Sequence, residues 1–367
     1  MISIRDISVW CLTALAALSF TSCDMMKEDR DDCPMGLYLQ FRYEYNLQRA
    51  DMFNDHVGAV DVYVFDEQGK FVKMQSEENT ASAQPLKDPN YRMHMEDLQP
   101  GKYQLITLAG QDSYSAQMAR SRAHFVRGNI KPGDDKTALD IRLDTKTGDM
   151  IYVDNMGAPL DTLWHNMEMT QVEVFAEKPS YGTVYLMRDT KKINVTLYEL
   201  DTPTEMDIKN YDLAIYDRNS HLLWDNSVDE QDYVANNSWM RYTPHATWNT
   251  TDKPLEGQPE TELGKMGHAD FMTSRIINHD RAEDDAVLIV TDKRTGKQII
   301  TVNLASMLAR LRNYEDTHRY GAQEFLDRCY DYTLSFYIKG DKWEYAYLSV
   351  SVNALSWAVR IQNEVLQ

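Results

Sequence analysis

Residues 37–46 read Leu-Tyr-Leu-Gln-Phe-Arg-Tyr-Glu-Tyr-Asn. Leu37, Leu39, Phe41, Tyr43 and Tyr45 share one side of an extended chain, with Gln40, Arg42, Glu44 and Asn46 among the other. Alternation with period two is what a strand with one buried face requires. Val60-Asp-Val-Tyr-Val-Phe65 repeats it, and Asp66-Glu-Gln-Gly-Lys70 then turns the chain, with Gly69 able to take a positive φ. Gln99-Pro-Gly-Lys102 is a second turn, opening onto a strand over 103–109. A further strand is expected over 138–143.

The second half restates this order. Ile193-Asn-Val-Thr-Leu-Tyr198 corresponds to the strand at Leu37. Leu213-Ala-Ile-Tyr216, the turn Asp217-Arg-Asn-Ser220 and Leu222-Leu-Trp224 correspond to the hairpin at Val60, which suggests two copies of one β-domain. A hairpin is expected from 286–290 and 298–302 across Thr291–Gly296, and strands at 332–338, 348–352 and 357–361. Only 304–312 and 323–328 read as helical. Short strands between turns imply an all-β protein of two tandem sandwiches with short helical insertions, not βαβ units. The boundary is expected between Leu163 and Gly182, where Glu177-Lys-Pro-Ser-Tyr-Gly182 punctuates most clearly. This gives an N-terminal sandwich over 35–166 and a C-terminal one over 167–367.

The chain has 367 residues, with 57 acidic against 38 basic side chains and a formal charge of −19. Its length suits two domains, and 43% apolar residues suffice for two cores. The acidic balance disfavours nucleic-acid binding, which needs clustered Lys and Arg. No apolar run reaches the roughly 20 residues of a membrane helix.

Ile7 to Phe20 form an apolar run of signal-peptide length. Phe20-Thr-Ser-Cys23 follows and resembles a bacterial lipoprotein lipobox. Cleavage is expected between Ser22 and Cys23, so that 1–22 is the signal peptide, Cys23 carries lipid and 23–34 is an acidic spacer. Of the other cysteines, Cys11 would be removed, leaving Cys33 and Cys329 as either one disulfide or two half-buried thiols.

The search for chemistry finds little. There is no GxSxG elbow, P-loop, GxGxxG after a strand or HExxH, and no CxxC or CxxH spacing. No catalytic residue, metal or cofactor is expected. His268-Ala-Asp270 is half a metal site without a third ligand, and a surface loop is the simpler reading. Trp239, Tyr242 and Trp248 lie in a polar stretch and could stack on sugars, although isolated aromatics more often pack. Asp161-Thr162-Leu163 resembles a short O-glycosylation sequon.

The lipobox cysteine, the spacer ending Asp31-Asp-Cys-Pro34 and the alternating strand after it resemble the fimbrial anchor lipoproteins of the Bacteroidales, the FimB type. The segments 60–72 (VDVYVFDEQGKFV), 98–105 (LQPGKYQL), 163–165 (LWH), 184–197 (VYLMRDTKKINVTL), 269–275 (ADFMTSR) and 323–332 (QEFLDRCYDY) continue the resemblance in the same order. It implies two transthyretin-like β-sandwiches in a pilus whose subunits reach the surface as lipoproteins and join by donor-strand exchange. It also implies an anchor that keeps its lipid, holds the fibre at the outer membrane and partners shaft subunits by strand donation. Two alternatives are a surface glycan-binding lipoprotein and a fimbrial tip subunit of the same architecture. At the C-terminus Trp357, Val359 and Ile361 share one face, and this strand either completes its own sandwich, the preferred reading, or serves as a donor.

Overall fold

The computed structural model describes residues 35–230, 239–252, 263–350 and 358–362. The first strands are β1 (Leu37–Arg42), β2 (Ala59–Asp66), β3 (Phe71–Glu78), β4 (Met93–Met95) and β5 (Gly101–Gly110). Short strands follow: β6 (Phe125–Arg127), β7 (Ile141–Leu143), β8 (Lys146–Thr147) and β9 (Ile151–Tyr152). Next come β10 (Trp164–Asn166), β11 (Thr170–Val174) and β12 (Ser180–Arg188). The second half holds β13 (Lys191–Glu199), β14 (Tyr211–Asp217), β15 (His221–Leu222), β16 (Met240–Tyr242), β17 (Ala246–Thr251) and β18 (Lys265–Thr273). It ends with β19 (Val287–Asp292), β20 (Lys297–Asn303), β21 (Asp331–Lys339), β22 (Lys342–Val350) and β23 (Ala358–Gln362).

The first sheet has the order β3-β2-β5-β10-β12-β1-β4, with β11 also on β5. β12 pairs with β1 over Ser180–Tyr185 and with β10 over Leu186–Arg188, so one long strand links two layers. Between them lie Leu37, Leu39, Phe41, Val60, Val62, Val64, Leu105 and Leu186. The second sandwich faces β17-β18-β13-β21-β22-β23 against β20-β19-β14-β16-β9-β8. Its core takes Val195, Leu197, Phe271, Leu334 and Phe336 from one sheet and Leu213, Ile215, Leu288 and Val290 from the other. In both halves the opening strand pairs in parallel with a late strand, β1 with β12 and β13 with β21.

The fold is all-β, as the alternation predicts, but four details differ. The chain does not change sandwich at 166/167: β11 and β12 belong to the first sheet, and the crossing is Asp189-Thr190. The punctuation at Glu177–Gly182 only connects two strands of one sheet. Conversely, β8 and β9 join the second sandwich, and β7 pairs with β15. Secondly, the Val60 strand is buried on both faces, because Phe125, Leu139, Ile141 and Leu143 cover Tyr63 and Phe65 on its outer side. Thirdly, only Ile141–Leu143 of the segment 138–143 is strand. Fourthly, β14 forms no hairpin with Leu222–Trp224 but lies between β16 and β19. The apparent turn is buried, with Asn219 accepting from the Tyr242 hydroxyl at 2.7 Å.

The hairpin β19–β20 and the strand β21 form where expected, whereas β22 starts at Lys342, six residues before the expected 348–352, and is followed to Val350. Helices cover Leu304–Ala309 and Ala322–Arg328. A third, Tyr314–Arg319, opens on a capping box between Asn313 and Asp316. Two shorter ones, Phe53–His56 and Tyr114–Met118, were not foreseen.

Candidate functional site

Ser22, Cys23, Cys33 and Trp357 lie outside the described residues. Cys329 is a buried free thiol, pushed up to about 11 by burial. Residues 358–362, which include Val359 and Ile361, form β23 at the margin of its own sheet, antiparallel to β22 with Leu348 opposite Val359. His268 and Asp270 stand on β18, but His268 is bonded to Thr250 at 2.7 Å and Thr196 at 3.1 Å, and Asp270 to Asn194. Among the described residues no group of three or more His, Cys, Asp or Glu could hold a metal ion.

The three suspected sugar-stacking residues have separate fates. Tyr242 is buried, and Trp239 carries the Arg218 guanidinium 4.9 Å above its ring. Trp248 is 39% exposed and stacks on His268 at 5.0 Å. Thr162 of the suspected sequon is buried, and Asp161 beside it is ion-paired with Arg122 at 2.5 Å, so this segment is closed to modification as folded. A tyrosine row crosses the outer face of the second sandwich: Tyr198 stacks on Tyr337 at 4.4 Å, and Tyr337 on Tyr345 at 4.5 Å. Rings stacked face to face cover one another's faces, so they make a poor sugar platform.

A buried polar cluster lies where β12 runs into β13. Arg188, Asp189, Thr190 and Lys191 are all buried. Lys191 Nζ donates to the carbonyls of Asp327 and Cys329, both at 3.0 Å, at the C-terminal end of the helix Ala322–Arg328. A cation suits this position, since the last helical carbonyls lack partners within the helix. Arg275 clamps Asp327 through two bonds of 2.8 Å and also donates to the Asn226 carbonyl. Asn226, at φ 63°, donates to Asp189 at 3.0 Å. Asn tolerates this left-handed conformation better than most residues. Burial raises the Asp189 carboxyl and lowers the Lys191 ammonium from their ordinary values. Arg188 is held by rings, 4.3 Å above Tyr330 and 5.6 Å from Trp164. These bonds join the end of β12 and the start of β13 to the helix Ala322–Arg328 and to Asn226, and so fix the crossing between the two sandwiches.

A second candidate lies at the sheet margins. β3 and β4 end the first sheet, and side chains tie β3 to β4 and its flanks: Lys73 to Asp97 at 2.5 Å, Gln75 to the His94 carbonyl at 2.8 Å, and Tyr91 to Glu77 at 3.1 Å. On the opposite face of β3 opens a cleft of about 1000 Å³. At its base Arg127 pairs with Asp61 at 2.5 Å, and Ser76 donates to the same carboxylate. This cleft is not legible from local pattern, because Asp61 and Arg127 are 66 positions apart.

Residues 30–363 match the family model described as Mfa2: Fimbrillin-A associated anchor proteins Mfa1 and Mfa2. The chain is 23% identical over 311 residues to the minor fimbrium anchoring subunit Mfa2 of Porphyromonas gingivalis, covering 81% of this chain and 79% of that protein. Among solved structures it is similar to a candidate adhesin of Bacteroides thetaiotaomicron, with TM-score 0.71 and 26% identity over 90% of this chain and 99% of the other. A candidate polysaccharide-binding protein of the same organism gives TM-score 0.67 and 26% identity, with the same coverage.

Proposed function

The chain belongs to the family of fimbrillin-A associated anchor proteins, and from that premise we propose that it is an outer-membrane lipoprotein that holds a fimbria to the cell surface and takes part in its assembly. The family is one of structural anchor subunits, not of enzymes. The observation that carries the proposal is the match over residues 30–363, which spans both sandwiches. Cleavage behind Ser22 would leave Cys23 at the mature N-terminus, and several acyl chains there would give stable attachment where one gives only marginal binding. The partner would be a shaft subunit, joined by strand donation at a sheet margin, whose unpaired N–H and C=O groups favour such pairing.

The deciding experiment replaces Cys23 by Ala and follows fatty-acid labelling and fibre retention. Loss of label, release of the protein from the membrane and shedding of intact fibres into the medium are expected. Equal labelling of the variant, or wild-type retention of fibres in its absence, would sink the proposal.

A second reading, glycan capture at the surface, draws on the similarity to a candidate polysaccharide-binding protein and on exposed Trp248. A tip subunit of the same architecture is the third. Locating the chain at the base or the distal end of isolated fibres separates anchor from tip, and retention on immobilised polysaccharide tests capture.

A further inference from the structure

β3 forms one margin of the first sheet, and its outer backbone is already used at one end. Phe71 donates to the Asp134 carbonyl at 2.8 Å and accepts from Gly133 N–H at 2.8 Å, and Lys70 forms an antiparallel bridge with Asp135. The segment 133–135 therefore behaves as the beginning of an added strand, which shows that this side can pair. Beyond Phe71 no strand among the described residues continues it.

The exposed side chains of this same stretch face the cleft. Val72 is 39% and Met74 47% exposed, and both line it together with Tyr63, Tyr114 and Ile130. The ties from Lys73, Gln75 and Glu77 to the segment 91–97 hold the strand from its opposite face. A margin so fixed has little conformational freedom to lose on pairing. An open strand beside an apolar cleft supplies both parts of strand addition, main-chain bonds for affinity and pockets for alternate side chains. A sugar would leave the backbone row unmatched.

We propose that β3 and this cleft accept an extended segment of another chain. The segment would carry apolar residues at alternate positions, set over Val72 and Met74, and a basic residue towards Glu78, the carboxylate on the same face of β3. The proposal rests on the anchor reading only for the supplier of the segment, a fibre subunit.

The test uses the full chain purified from membranes, mixed with purified shaft subunit. It reads co-sedimentation and amide hydrogen exchange over Val72–Glu78. The wild type should form a complex with slowed exchange in that stretch. Val72→Glu and Met74→Glu, at exposed positions, should keep the wild-type melting temperature and bind at least about tenfold more weakly. Binding by both variants at wild-type strength, with unchanged exchange in β3, would overturn the proposal and leave the anchor reading standing. No complex with the wild type would overturn both.

Discussion

Arg275 and Lys191 sit where the chain passes between sandwiches, and each neutralises something that cannot reach water. Asp327 is 4% exposed, and Arg275 is its bidentate partner. Arg275→Ala leaves that buried carboxylate without its cation, with the Gln323 amide at 3.0 Å still donating to it, and should cost about 3 kcal/mol in urea unfolding. Removing both partners together, in Arg275→Met with Asp327→Leu, should recover much of that loss. His165 gives a pH test. Its Nδ1–H donates to the Asn166 carbonyl at 2.9 Å, and burial holds its pKa down to about 4 from 6.5. The unfolded chain therefore binds more protons between those values, so stability rises with pH across the window and is lost as pH falls from 6.5 towards 4. Relative to His165→Gln, the wild type should lose on the order of 3 kcal/mol on acidification through that range, measured by urea unfolding. An unchanged gap between the two proteins would refute the buried neutral imidazole. None of this was legible beforehand: Arg188-Asp-Thr-Lys-Lys192 has the composition of a solvated turn, and only tertiary burial makes it an interior hinge-pin.

Among elements, alternation located strands better than it located their neighbours. β1, β21 and β22 were readable because one face of each is apolar and the other is not. The partner of β14 was not, since a short polar stretch after a strand looks the same whether it is a solvated turn or, as here, buried. Gly182 shows a further limit. A Cβ there would lie 2.8 Å from Val172 Cγ1 and 2.9 Å from Leu39 Cδ2, so the glycine is required by packing at the place where it was read as punctuation. Gly182→Val should cost about 1–3 kcal/mol through overpacking, measurable as a lowered denaturation midpoint. The C-terminal strand also belongs here. Truncation after Ala354 removes β23 and bares β22, so the melting temperature should fall. A truncated protein that keeps its melting temperature but fails to capture fibres would mark the strand as a donor.

In the whole molecule the two halves share apolar packing. One cluster includes Tyr63 and Ile106 from the first sheet, Phe125 and Ile141 from the connecting strands, and Leu213 and Phe336 from the second sandwich. Calorimetry should therefore show one cooperative transition, and two separate peaks would contradict that continuity. Two tandem sandwiches were readable from the repeated strand order, but this shared packing was not, because it uses the outer face of β2, which alternation alone assigns to solvent. The parallel pair β1–β12 has a mechanical consequence. The chain enters at the start of β1 and leaves for the second sandwich from the end of β12, and six residue pairs, Leu37 with Ser180 to Arg42 with Tyr185, lie between them. Tension applied across those two ends would slide the strands lengthwise past each other. All the bonds between them would then bear the load at once, where a hairpin pulled from its open end would peel one bond at a time.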